Sequence, residues 1–170
     1  MCGILGYSGS FNSNLLDDGL DVIGHRGPDG RGTYIDTLHQ VGLGHVRLAI
    51  QDLSELGHQP MLTGDGSVSL VFNGEIYNYR ELRSELEGRG IHCRDSSESE
   101  VVINLYLEFG LDFITKLNGM FAIAIHDSRD NSLHLIRDRI GKKPLWISQL
   151  NDGTLFFASE VRALMLARPD

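Results

Sequence analysis

Apolar residues along this chain come in short blocks, and the blocks differ in period. Ile4, Leu5 and Tyr7 sit among small residues between glycines, and residues 119–125 carry almost no polar side chain, so both stretches read as strands buried on two faces. Strands are also expected over 33–35, 41–50, 67–72 and 132–136, with two further candidates at 145–148 and 155–158. Elsewhere the period is helical. Leu16, Leu20 and Ile23 mark one helix, capped by Asn12 or Ser13 and closed by Gly24. Asn78 with Glu81 reads as a capping box for a second helix bearing Tyr79, Leu82 and Leu86, which Gly88 and Gly90 end. Ser97 with Glu100 opens a third, bearing Val101, Val102, Leu105 and Phe109 and stopping at Gly110. A short helix is expected over 111–117, and Ser159 is placed to cap a last one bearing Val161, Leu164 and Met165. Residues 25–32, rich in Gly and Pro, form a loop; residues 51–66 form a polar connection, and residues 127–131 turn the chain. Strands in blocks with helices between them suit an α+β fold, two packed antiparallel sheets covered by helices, better than alternating βαβ units.

Composition narrows the function without assigning one. The 170 residues suit a single domain, and 41% hydrophobic content is that of an ordinary globular chain. With 23 acidic against 15 basic residues the formal charge is −8, which argues against a nucleic-acid partner, whose footprint would be a basic patch. No apolar run approaches the roughly 18 residues of a membrane helix and no signal peptide precedes the first strand, so a cytoplasmic location and no membrane contact are expected. Cys2 and Cys93 cannot build a disulfide framework. None of the seven histidines pairs at helical i, i+4 spacing or lies in a Cys-x-x-Cys context, and no metal site is expected.

The candidate chemistry begins at Cys2. Removal of Met1 would leave a thiol and an α-amine a few bonds apart, a nucleophile with its own base. Free thiols and α-amines titrate near about 8.5 and 8, so both can move protons close to neutral pH. Cys2 equally fits the start of a buried strand. Asn73 and Gly74, adjacent at a strand end, could converge a side-chain amide and a backbone N–H on one oxyanion, or could form a simple Asn-Gly turn. Arg47, at the end of an apolar strand, could grip a carboxylate or close a salt bridge. Glu75 and Glu98 could hold an ammonium, or be a solvated acid and a favourable first-turn acid. Together these residues describe a pocket for an amino acid. The 25–32 loop could cradle phosphate, but it leads into a strand rather than a helix, which favours a turn-rich wall.

Eight pieces in order, among them residues 1–4, 25–30, 44–48, 73–78, 97–101, 119–122, 137–145 and 158–160, give the chain a strong resemblance to the glutaminase domain of class II glutamine amidotransferases, specifically that of glutamine-dependent asparagine synthetases and relatives. The resemblance implies an N-terminal-nucleophile hydrolase fold, a four-layer αββα sandwich of two antiparallel sheets. It also implies roles: Cys2 as nucleophile, Asn73 and the Gly74 amide as oxyanion hole, Arg47 on the glutamine α-carboxylate, Glu75 with Glu98 on the α-ammonium. Backbone near Leu48 and Ile50 would line the same pocket. One position departs, since the family usually has aspartate where this chain has Glu98.

The activity so implied is hydrolysis of L-glutamine to glutamate and ammonia, with ammonia passed to a C-terminal synthetase domain that amidates an acceptor. This domain would need no cofactor of its own, whereas ATP and Mg would serve the synthetase domain, which these 170 residues lack; the chain is therefore expected to be an N-terminal piece of a longer protein, with a homodimer of the full length left open. Two alternatives stand beside it: a catalytically silent glutamine-sensing domain, and an amidotransferase serving a sugar or other carboxylate acceptor.

Overall fold

The computed structural model describes residues 2–10, 14–49, 57–95 and 97–166. Two antiparallel sheets form its centre. One holds five strands in the order β2 (Gly30–Asp36), β3 (Val41–Arg47), β1 (Gly3–Ser8), β9 (Leu155–Ala158) and β8 (Trp146–Gln149). The other holds β4 (Met61–Leu62), β5 (Val68–Ile76), β6 (Gly119–Asp127) and β7 (Ser132–Arg137) in that order. Helices α1 (Asn14–Ile23) and α4 (Val161–Met165) cover the first sheet, and α2 (Tyr79–Gly88) and α3 (Glu98–Phe109) cover the second, which gives the four-layer αββα sandwich. No helix of the described residues is long and apolar enough to cross a membrane.

Strand alternation sorts the core into three layers. On β6, Phe121, Ile123 and Ile125 face α2 and α3, while Ala122 and Ala124 face the other sheet. On β1, Leu5 and Tyr7 pack under α1 and α4, while Ile4 turns inward to meet Leu43, Val71 and Phe157. Bulky residues thus fill the helix-facing layers, and the middle layer admits small ones. The side chains of one parity class, odd on β3 and β5 and even on β1 and β6, all enter the gap between the sheets.

Several boundaries differ from the sequence reading for physical reasons. β5 does not stop before Asn73: Asn73, Gly74 and Glu75 continue the ladder opposite Ala122, Phe121 and Met120, so Asn73-Gly74 is strand rather than turn. A Cβ at Gly74 would lie 2.2 Å from the Met120 carbonyl oxygen, so glycine is what lets the strands approach. β2 begins at Gly30 instead of residue 33, because Gly30 and Gly32 pair with Arg47 and His45 of β3. Leu48 and Ala49 lie beyond β3 without regular structure.

The expected caps are only partly realised. Ser97 does accept the Glu100 N–H at 3.2 Å, but the Glu100 carboxylate turns to Arg94 and to the Asp95 N–H instead of the Ser97 N–H. Asn78 makes no side-chain cap; its amide donates to the Lys116 carbonyl at 3.0 Å and accepts from the Asn118 N–H at 2.9 Å. Ser159 bonds the Ile4 backbone N–H at 2.9 Å rather than α4, and α4 buries Ala163 and Leu164 while Val161 and Met165 stay exposed. The span 110–116 is a 3-10 helix. Asn12, Ser13 and the connection over 51–56 lie outside the described residues.

Candidate active site

A cleft of about 380 Å³ opens at one end of the gap between the sheets, within the roughly 300–1,000 Å³ usual for small-molecule sites. Each expected site residue among those described lines it: Cys2 immediately before β1, Arg47 at the end of β3 with Leu48 behind it, Asn73, Gly74 and Glu75 on β5, and Glu98 at the first turn of α3. Ile50 lies outside the described residues. Cys2, Arg47, Asn73 and Glu75 share the inward parity that continues Ile4, Leu43 and Val71, so strand alternation alone aims four residues from three strands into one space.

Cys2 is fixed from several sides. Its Sγ accepts the Leu48 N–H at 3.4 Å and lies 3.8 Å from the Leu48 carbonyl oxygen, and its own carbonyl accepts from Arg26 Nε at 3.0 Å. Arg26 in turn pairs with Glu160 at 3.1 Å, and Glu160 also meets His25 and Arg162. Asp29 accepts the Ala49 N–H at 2.9 Å and donates its own N–H to the Arg47 carbonyl at 3.0 Å. The 25–30 loop is therefore a wall that holds the backbone of Cys2 and of residues 47–49, and it runs into β2 rather than into a helix that could face phosphate.

Asn73 is 1% exposed, and its Nδ2 has no hydrogen-bond partner among the described residues. A buried amide donor left without an acceptor costs about 1–3 kcal/mol, so its retention points to an acceptor supplied from the cleft. Glu98 accepts the Ile76 N–H at 2.9 Å. Burial, and then the charge of Glu75, push its carboxyl up to about 7 against that hydrogen bond.

Three cleft residues carried no role in the sequence reading. His45, two residues before Arg47 on the same face of β3, is driven down to about 3 by burial and by the charges of Arg47 and His58, so it is a neutral imidazole. Gln59 spans the sheet and α3, accepting the Phe72 N–H and donating to Ser99 at 2.9 Å. Lys143 is buried beside Cys2 and Glu75; burial, then the Arg26 charge, lowers its ammonium, and those two acidic partners oppose the shift. Asp138 accepts the N–H groups of Phe121, Lys142 and Lys143 at 3.2, 2.8 and 2.9 Å and so folds the 138–143 turn that delivers Lys143. Parity with Arg47 could have located His45, but nothing local in the sequence distinguishes Lys143 from Lys142.

The model of the glutamine amidotransferase domain family matches residues 1–169. Asparagine synthetase [glutamine-hydrolyzing] 2 of Bacillus subtilis is 40% identical over 171 residues, covering 96% of this chain and 22% of its own length. Asparagine synthetase [glutamine-hydrolyzing] 2 of Arabidopsis thaliana is 40% identical over 169 residues, 96% of this chain and 28% of the relative. Amidase chry2 of Gibberella zeae is 40% identical over 150 residues, 88% of this chain and 22% of the relative. The chain thus spans about a quarter of the length of these curated relatives. Among solved structures, the glutamine phosphoribosylpyrophosphate amidotransferase of B. subtilis, complexed with ADP and GMP, superposes with a TM-score of 0.84 at 25% identity over 97% of this chain and 43% of that one. The cleft at the Cys2 end of the sandwich and a family match over nearly every residue lead to one conclusion: the chain belongs to the glutamine amidotransferase domain family.

Proposed function

We propose that the cleft hydrolyses L-glutamine to glutamate and ammonia through a thioester on Cys2. The observation that carries this reading is the buried Nδ2 of Asn73, without a partner among the described residues, in the sheet that faces the Cys2 thiol across the same cleft. Once Met1 is removed, the free α-amine takes the thiol proton as Cys2 Sγ attacks the side-chain amide carbon. The resulting oxyanion accepts hydrogen bonds from Asn73 Nδ2 and the Gly74 N–H, and collapse expels ammonia with the proton returned from the α-ammonium. Water then cleaves the γ-glutamyl thioester, giving glutamate and the free thiol. Arg47 takes the α-carboxylate as a bidentate partner, Glu75 and Glu98 take the α-ammonium, and backbone near Leu48 lines the pocket.

In the longer protein, ammonia would pass to a synthetase domain that uses ATP and Mg, with aspartate as the acceptor; the asparagine synthetases among the relatives support that acceptor. A cytoplasmic location and a full-length homodimer belong to the same reading.

The test is glutamate release from Met1-processed chain, with processing checked by intact mass. Cys2→Ala should fall to the background rate, and Asn73→Ala should lose about two to three orders of magnitude in kcat with little change in KM. Equal release from the parent and from Cys2→Ala would sink the proposal.

A further inference from the structure

The gap between the sheets has a second polar end. Asp36 closes β2, His39 lies in the turn that leads to β3, and His126 sits four residues along β6 from Ala122, on the same inward face. At about 3.3 Å per residue, that places the three roughly 13 Å from the level of Asn73, away from the cleft. One carboxylate oxygen and one nitrogen from each imidazole all lie within 4.8 Å of one another.

The hydrogen bonding of this cluster is incomplete in a specific way. Asp36 accepts the His39 backbone N–H at 3.0 Å and meets His39 Nδ1 at 2.8 Å. Because a carboxylate can only accept, that contact places a proton on Nδ1, and a cation bridging Asp36 and Nδ1 would take the place of that proton. His126 is 1% exposed, and neither of its ring nitrogens has a partner among the described residues. Its ring centroid lies 5.7 Å from that of His39, with the planes tilted by 56°. A buried imidazole without a bond on either nitrogen is costly unless something outside the protein completes it. Asp36 and His39 keep side-chain exposures of 13% and 21%, which leaves a path from solvent.

We propose that Asp36, His39 and His126 form a binding site for a late first-row divalent cation, Zn²⁺ by preference, which ties the two sheets together at the end opposite the catalytic cleft. Two imidazoles and a carboxylate are borderline ligands that suit Zn²⁺, Co²⁺ or Ni²⁺ and offer little to Mg²⁺ or Ca²⁺. Such ligands stand about 2.0–2.2 Å from zinc, so side-chain rotation must draw them to within roughly 3.5 Å of each other. Three protein ligands leave a fourth position for water. Since Asp36 and His39 belong to one sheet and His126 to the other, the ion would bind only the assembled sandwich and so would stabilise it.

The experiment uses untagged chain carrying Cys2→Ala, which removes the competing thiol. Calorimetric titration with Zn²⁺ should give one ion per chain, and His39→Ala, in the turn between β2 and β3 and with its fold checked by circular dichroism, should weaken binding at least about tenfold. His126→Asn should weaken it as strongly. Zn²⁺ should raise Tm by roughly 4 °C or more in the parent and by less in either variant. With Co²⁺, the visible spectrum should lack a thiolate charge-transfer band. No binding, a thiolate band from Cys93, or Zn²⁺ affinity unchanged in His39→Ala would each overturn the proposal.

Discussion

Glu98 occupies a position with opposing demands. It heads α3, where the helix dipole and the Ile76 N–H favour the carboxylate, yet burial and Glu75 favour the acid and win, raising it to about 7. Because its folded value lies above the ordinary glutamate range, the folded chain holds the proton longer than the unfolded one. That contribution to stability is full below the ordinary glutamate value and is lost as pH climbs toward 7. A substrate ammonium would reverse the preference, so under the proposed arrangement KM for glutamine should fall as pH rises from 6 to 8. Glu98→Gln should raise KM by roughly ten- to a hundredfold, the worth of a hydrogen bond to a charged group, and flatten this pH dependence while changing kcat less. It should also remove the loss of stability between pH 5 and 8. If KM in the variant keeps the parent's pH profile, the ammonium is read by another group. The sequence could identify this carboxylate as a departure from the family's aspartate, but not its protonation, which depends on how deeply α3 is packed against β5.

At the scale of elements, the reading from periodicity located, among the described residues, every strand of the central sheets except β4, which is two residues long, and every α-helix, because three separate apolar layers impose period 2 or 3.6 on them; the 3-10 turn at Gly24–Arg26 fell in a stretch read as loop. Ends and caps were less legible, since a polar side chain has several partners and only the fold selects one. Asn78 is the clearest case. Its sequence context announces a helix cap, yet both ends of its amide bond residues 116 and 118, fastening the start of α2 to the entry of β6 beside the Tyr77 N–H bond to Asn118. Asn78→Ala should therefore cost about 1–3 kcal/mol for the two lost hydrogen bonds. Amide exchange would locate the damage: protection should drop at Asn118 and at the first residues of β6, with the first turn of α2 little changed. Loss confined to that helical turn would restore Asn78 as an ordinary cap.

For the whole molecule, the decisive dimension is the thickness of the layer between the sheets, because the cleft is the open end of that layer. Ala122 and Ala124 keep it thin, and Ala122 stands directly opposite Asn73 on the neighbouring strand. The sequence made the inward class visible as small residues on β6, but the convergence of Cys2, Arg47 and Asn73, and of Asp36, His39 and His126 at the other end, depends on sheet register and packing that no local pattern encodes. Widening the layer should then disturb chemistry more than stability. Ala122→Val keeps a residue suited to strands while adding two methyl groups where the sheets meet, at a cost of about 1–3 kcal/mol from overpacking. Since a displacement near 1 Å of a catalytic group can cost about a hundredfold, kcat for glutamine hydrolysis should fall at least tenfold. Ile123→Val, on the helix-facing side of the same strand, should cost about 0.5–1.5 kcal/mol and leave kcat within a factor of two or so. Steady-state kinetics on the two variants, compared with their Tm values, separate the effects. If kcat merely follows Tm in both, the inter-sheet spacing does not set the geometry of the site.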